Sequence, residues 1–219
     1  MKLEQRGIDV RLCEVGVIPI LRRMPEEQLM ALAEAVFAGG AEVIEVTLDS
    51  PGALDAIARL RDRYGDTILI GAGTLMTPAQ LHEAARAGAQ FFLSPHLDLT
   101  LVREAQEAGQ LYIPGVLTPT EIVQAEQAGV KLMKLFPMGG LGTSYLKDLL
   151  GPFRGRSFFP TGGITPDNAA DFIRAGAAGV GMGSALTPRD DVMGQRWEAI
   201  TERVRTVVER VREVKDAPA

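Results

Sequence analysis

The sequence predicts an α/β protein built as one single-domain (β/α)8 barrel of the TIM type, and three observations carry that prediction. Short β-rich runs alternate with helical patterns along the chain, and their starts recur every 20 to 27 residues, the length of one strand–helix unit. Eight such units fill the chain from about Val15 to Val214 of its 219 residues, leaving no room for a linker, so residues 1–219 read as one domain. An open doubly wound sheet would need a long switch-point connection, and none is present.

The strand runs begin at Gly16 (GVIPIL), Val43 (VIEVTL), Ile68 (ILIGAG), Phe91 (FFLSP), Leu111 (LYIPG), Lys131 (KLMKLFP), Phe158 (FFPTGG) and Gly179 (GVGMG). Between them apolar residues fall at helical spacing, as with Leu29, Leu32 and Val36 in the first helix and Ile200, Val204, Val207 and Val211 in the last. Trp197, three residues before Ile200, reads as packing. Four helices end at Ala38-Gly39-Gly40-Ala41, Ala87-Gly88-Ala89, Ala128-Gly129-Val130 and Ala175-Gly176-Ala177, each putting a glycine at the left-handed C′ position just before a strand. Helix starts are marked by Thr77-Pro78, by Thr118-Pro119 with Glu121 following, and by Thr165-Pro166, where a capping hydroxyl precedes a proline in the first turn.

A net charge of −5 argues against nucleic-acid binding, because neutralising phosphates needs clustered Lys and Arg; the expected partner is a small molecule. Cys13 is the single cysteine, so an intrachain disulfide framework is excluded and a reducing cytoplasm is the expected setting. No run of about 18 apolar residues occurs, and Met1–Arg6 lacks an apolar signal core, so neither a membrane span nor secretion is expected.

In a barrel, residue parity decides which side chains point inward. In the second strand Ile44, Val46 and Leu48 form the helix-facing set, which puts Glu45 inside with Val43 and Thr47. In the sixth, Met133 and Leu135 share a face, and Lys134 shares the inward one with Leu132 and Phe136. Lys134 is the one lysine of five placed within a strand near its C-terminal end; Lys131 reads as a surface residue at the opposite end. The plain reading of Glu45 and Lys134 is a buried ion pair. The chemical reading is that Lys134 is a nucleophile toward a carbonyl and Glu45 its proton shuttle, because barrel active sites lie at the C-terminal strand ends and burial favours a neutral amine.

Thr161-Gly162-Gly163 closes the seventh strand and Gly181-Met182-Gly183-Ser184 the eighth, the two ends where many barrels cradle a phosphate with backbone N–H groups. Gly71-Ala72-Gly73-Thr74 lacks the third glycine and the acidic partner of a dinucleotide fingerprint. His82 reads as a surface residue and His96 as a loop cap; neither has neighbours at metal-ligand spacing, so no metal and no cofactor are expected.

Taken together, Glu45-Val46-Thr47-Leu48, Gly71-Ala72-Gly73-Thr74, Ser94-Pro95-His96, the run Pro114-Gly115-Val116-Leu117-Thr118-Pro119-Thr120-Glu121, Lys134-Leu135-Phe136-Pro137 and Pro160-Thr161-Gly162-Gly163-Ile164 resemble the 2-keto-3-deoxy-6-phosphogluconate (KDPG) / 4-hydroxy-2-oxoglutarate (KHG) aldolase family over nearly the whole chain. The resemblance implies a class I aldolase, usually a homotrimer, that needs no cofactor and cleaves 2-keto-3-deoxy-6-phosphogluconate to pyruvate and glyceraldehyde 3-phosphate; several members also cleave 4-hydroxy-2-oxoglutarate to pyruvate and glyoxylate. It implies that Lys134 forms the Schiff base and Glu45 is the general acid/base. It places Arg22 on the substrate carboxylate, Thr74, Pro95, Phe136 and Thr161 around the pyruvyl portion, and Gly162, Gly163, Gly183 and Ser184 at the phosphate. Where many members read Thr-Leu-Arg-Thr after the second strand, this chain has Thr47-Leu48-Asp49-Ser50-Pro51. The 2-keto-3-deoxy-6-phosphogalactonate aldolases are similar to that variant and share the first-strand arginine, so either C4 epimer stays open. A phosphosugar lyase or isomerase without a Schiff base, and an inactive scaffolding trimer, are the competing readings.

Overall fold

The computed structural model describes residues 7–217. Helix α1 (Ile8–Val15) leads into β1 (Val17–Leu21), α2 (Glu26–Ala38), β2 (Val43–Thr47), α3 (Ala53–Tyr64), β3 (Leu69–Gly73), α4 (Pro78–Arg86), β4 (Phe91–Leu93), α5 (Leu99–Glu107), β5 (Leu111–Ile113) and β6 (Gly115–Val116). Then follow α6 (Pro119–Gln127), β7 (Leu132–Leu135), α7 (Gly142–Leu150), β8 (Ser157–Pro160), α8 (Ala169–Arg174), β9 (Val180–Met182), α9 (Arg189–Met193) and α10 (Trp197–Asp216). No helix among the described residues is long and apolar enough to cross a membrane.

All strand pairs are parallel, in a six-stranded sheet that curls into a half-barrel with order β5-β4-β3-β2-β1-β9 and a three-stranded sheet with order β6-β7-β8. The fifth predicted run is divided at Pro114, which has no N–H to give a ladder. Upstream of it β5 pairs with β4; downstream β6 pairs with β7, and the Pro114 carbonyl accepts the Lys134 N–H at 2.9 Å. An isolated parallel bridge, Thr161 to Gly181, joins the end of β8 to β9.

Strand parity sorts the buried residues into two layers. Ile44, Val46, Ile70, Ala72, Phe92, Met133, Leu135 and Phe158 pack outward against the helices. Ile18, Val43, Leu69, Phe91, Ile113, Leu132 and Phe159 form a separate inner cluster. Leu12 of α1 closes that inner cluster from below, and Arg11 fixes the helix by donating to the Thr67 carbonyl at 2.6 Å and to that of Asp66 at 3.2 Å. Helix α1 lies outside the eight predicted units, although Ile8, Leu12 and Val15 carry an i, i+4, i+7 signal.

Gly40, Gly88, Gly129 and Gly176 have φ of 90°, 97°, 80° and 103°, the left-handed turns expected at those helix ends. Thr77 and Thr118 cap α4 and α6 in full capping boxes with Gln80 and Glu121. The third predicted start is displaced: α8 begins at Ala169, not at Pro166. Asn168 is the reason. Its carboxamide oxygen accepts the Thr165 N–H at 2.8 Å while its Nδ2 donates to the Gly163 carbonyl at 3.1 Å, so the segment is spent on a turn before the helix starts. The final helix buries Ile200, Val204, Val207 and Val211, as their spacing predicts.

Candidate active site

The C-terminal strand ends surround a cavity of about 370 Å³. Parity brings Glu45 of β2 and Lys134 of β7 into it from opposite sides, their side chains only 1% and 7% exposed. Lys134 Nζ lies 3.9 Å from Glu45 Oε1 and 5.2 Å from the centroid of the Phe136 ring. At 3.9 Å the two groups are coupled by charge rather than by a hydrogen bond, and Glu45 Oε1 has no hydrogen-bond partner among the described residues. Burial pushes the Glu45 carboxyl above the usual carboxylate range; Lys134 and Arg22 pull it back in part, and Asp49 adds to the rise. The pair is therefore a proton acceptor of raised affinity held just off a buried amine.

Glu45 fits because Gly73, which pairs with Thr47 on the adjacent strand, has no side chain. A Cβ on Gly73 would stand 1.8 Å from Glu45 Oε1 and 2.4 Å from its Cδ. Gly73→Ala is expected to destabilise the fold by about 1–3 kcal/mol through overpacking and, by displacing the carboxylate by about 1 Å, to lower kcat about 100-fold. Thermal melts and steady-state rates check this; a variant with wild-type kcat would show that the position of Glu45 is immaterial.

Arg22, Thr74, Phe136, Thr161, Gly162, Gly163, Gly183 and Ser184 all line the same cavity as Glu45 and Lys134. Thr74 is held in the left-handed region at φ 61°, an uncommon conformation for a β-branched residue. Gly162 and Gly163 are left-handed in succession, and a Cβ on Gly163 would come within 2.2 Å of Gly139 Cα, so only glycine permits the close approach of these two loops. Among the described residues, the N–H groups of Gly163, Gly183 and Ser184 donate to no protein acceptor.

Pro95 is not among the residues that line the cavity. Ser94 turns the chain away after β4 by donating to the His96 carbonyl at 2.5 Å and meeting the Tyr112 hydroxyl at 2.6 Å, and Pro95 is drawn against Gly115, where a Cβ would stand 2.4 Å from its carbonyl carbon. His96 is likewise outside the lining, and its carbonyl also accepts the Gly115 N–H, a loop role. His82 on α4 pairs with Glu104 of α5 at 3.1 Å. Sequence reading missed Arg23 and Thr165, which line the cavity mouth. A larger groove of about 1030 Å³ opens where α1 meets the starts of β5, β7 and β8, lined by Cys13, Lys131 and Lys215 among others. It holds none of the strand-end groups, so the smaller cavity is the candidate site.

Residues 8–203 match the sequence pattern of one family, described as KDPG and KHG aldolase. The chain belongs to the KDPG/KHG aldolase family. It is an aldolase, a carbon–carbon lyase. The 2-dehydro-3-deoxy-6-phosphogalactonate aldolase of Escherichia coli K12 is 35% identical over 201 residues, covering 91% of this chain and 96% of that protein. The KHG/KDPG aldolase of the same strain is 37% identical over 194 residues, covering 88% and 91%. A KDPG aldolase from Legionella pneumophila, solved with pyruvate captured at low pH as a covalent carbinolamine intermediate, superimposes with a TM-score of 0.84 at 36% identity, covering 89% of this chain and 96% of that one. Enzymes named for the two phosphorylated epimers are thus about equally similar to this aldolase.

Proposed function

We propose that this aldolase cleaves 2-keto-3-deoxy-6-phosphogluconate to pyruvate and glyceraldehyde 3-phosphate through a Schiff base on Lys134. The observation that carries the reading is the buried Lys134–Glu45 pair at 3.9 Å inside a strand-end cavity. Glu45 takes a proton from the amine, and the free Lys134 Nζ attacks C2 of the keto acid. The protonated Glu45 gives that proton to the departing C2 hydroxyl, loss of water leaves an iminium, and the iminium draws electrons from the C3–C4 bond as the re-ionised Glu45, directly or through a water, removes the C4 hydroxyl proton. The C3–C4 bond breaks, the aldehyde leaves and an enamine remains on the lysine. The protonated Glu45 returns its proton to C3, and hydrolysis of the new iminium releases pyruvate and Lys134. The iminium is the electron sink, so no step calls for a metal or an organic cofactor.

Arg22 holds the substrate carboxylate, while Thr74, Phe136 and Thr161 surround the pyruvyl portion. The unpaired N–H groups of Gly163, Gly183 and Ser184, with Gly162 beside them, suit a phosphate, which backbone donors at strand ends can bind without a broad basic surface. We further propose that the two sheets are arcs of one closed (β/α)8 barrel forming a single domain. The continuity of β5 into β6 and the Thr161–Gly181 bridge support closure. A homotrimer in the cytoplasm completes the reading: exposed Met76, Leu99 and Val123 offer apolar surface for subunit contact, and a lone Cys13 suits a reducing compartment.

A second reading, the galactonate epimer, is favoured by Asp49-Ser50-Pro51 after β2 together with Arg22. A retro-aldol assay coupled to pyruvate detection separates them. The gluconate epimer is expected to exceed the galactonate epimer in kcat/KM by about tenfold or more, the range one well-placed contact supplies. The reverse order establishes the second reading, and a strong preference for 4-hydroxy-2-oxoglutarate makes the phosphate site secondary.

A further inference from the structure

We propose that Asp49 is a positioning residue for the aldol chemistry: it grips Arg22 and Arg23 from the loop after β2 and so presents the Arg22 guanidinium to the substrate carboxylate. The inference rests on the reading of Arg22 as the carboxylate ligand. Asp49 Oδ2 accepts from Arg22 Nε at 3.1 Å, Arg22 Nη2 at 2.9 Å and Arg23 Nε at 3.1 Å. Both arginines line the cavity, whereas Asp49 does not, so its carboxylate acts on the site through them.

The neighbouring residues hold the same two loops together. Ser50 Oγ accepts the Arg23 N–H at 2.8 Å and meets Thr47 Oγ1 at 3.1 Å, and Thr47 Oγ1 donates to the Leu21 carbonyl at 3.4 Å. Arg23 is left-handed at φ 51°, a conformation a side-chain-bearing residue keeps only where its surroundings enforce it. These ties fix the backbone of the β1 exit, and Asp49 fixes the side chains that leave it.

The charge arrangement has the same sense. Arg22 is about half exposed and Arg23 more so; without an anion between them, two adjacent guanidinium groups would repel and sample many rotamers. Asp49 offsets one of the two charges and occupies the Nε–Nη2 edge of Arg22. The Nη1 end then has no protein partner among the described residues and is open to a second carboxylate. Burial tends to raise the Asp49 carboxyl, but the nearby Thr47 hydroxyl, the Arg22 charge and the hydrogen bonds from Arg22 and Arg23 outweigh it and hold it below the usual carboxylate range, so it stays ionised at neutral pH.

The test uses the full-length enzyme. Asp49→Asn is expected to raise KM for the phosphorylated keto acid about tenfold while kcat changes less than about threefold, and to raise by the same factor the pyruvate concentration giving half-maximal borohydride trapping on Lys134. Asp49→Glu recovers part of the loss, which also serves if the asparagine variant folds poorly. In an Arg22→Ala background, Asp49→Asn is expected to add nothing further. An unchanged KM in Asp49→Asn, or a full additional loss in the Arg22→Ala background, overturns the role of Asp49 alone. If Arg22→Ala by itself leaves KM and trapping unchanged, the carboxylate reading of Arg22 fails and this inference falls with it.

Discussion

Lys134→Arg is expected to lower retro-aldol turnover about ten-thousand-fold or more, a barrier increase of about 5.5 kcal/mol. The substitution keeps a cation opposite Glu45, so the buried carboxylate retains its counter-charge and the fold its internal pairing. What it removes is the nucleophile, since a guanidinium cannot be deprotonated in a protein and forms no iminium. Incubating wild-type enzyme with pyruvate and borohydride should leave one irreversible adduct, located on Lys134 by peptide mass analysis, and none on Lys131, which is exposed at the start of the same strand. The variant should melt close to wild type and take up no adduct. Retention of more than about a tenth of the activity, or a wild-type adduct on another residue, would sink the Schiff-base reading. It would leave Lys134 as a charge-binding group only.

Glu45→Gln is expected to separate catalysis from stability. Loss of the proton shuttle should lower kcat about 100- to 10,000-fold, the span of general acid–base catalysis. Stability should move the other way. Burial raises the folded-state pKa of Glu45 above its unfolded value, so the proton is bound more tightly in the native state. The native state's advantage from this group is then complete below the unfolded pKa, near 4.3, and is lost as pH rises through the raised folded value. Glutamine carries no such dependence. At neutral pH the variant should be the more stable, by about 2–4 °C in Tm if the relief is about 1 kcal/mol, and the gap should close as pH falls toward about 4. A variant that melts below wild type throughout that range would mean the Lys134–Glu45 attraction outweighs desolvation and the carboxylate is stabilised as an ion.

The strand–helix alternation was legible because its signals are local. The runs around Val17, Val43 and Leu132, the glycines at 40, 88, 129 and 176, and the Thr-Pro caps at 77 and 118 each reflect a preference satisfied within a few residues. Thr165-Pro166 misled because the competing signal, the Asn168 carboxamide, lies across the proposed helix start and reaches back to Gly163. The break at Pro114 was visible as a missing N–H; its consequence, a change of strand partner, was not.

By itself the sequence determined the period of the fold and, through parity, that Glu45 and Lys134 share an interior, since a two-residue repeat leaves each strand side chain only two directions. The family pattern carried in its motifs named the chemistry. Tertiary structure alone decided how those directions meet. Register between strands distant in sequence sets the 3.9 Å separation of Glu45 and Lys134, the empty space that Gly73 leaves for the carboxylate, the removal of Pro95 to the loop beside Gly115, and the grip of Asp49 on two arginines of another strand end. The physical reason is that local preferences fix angles along the chain, whereas distances across a curled sheet depend on the packing of all its strands at once.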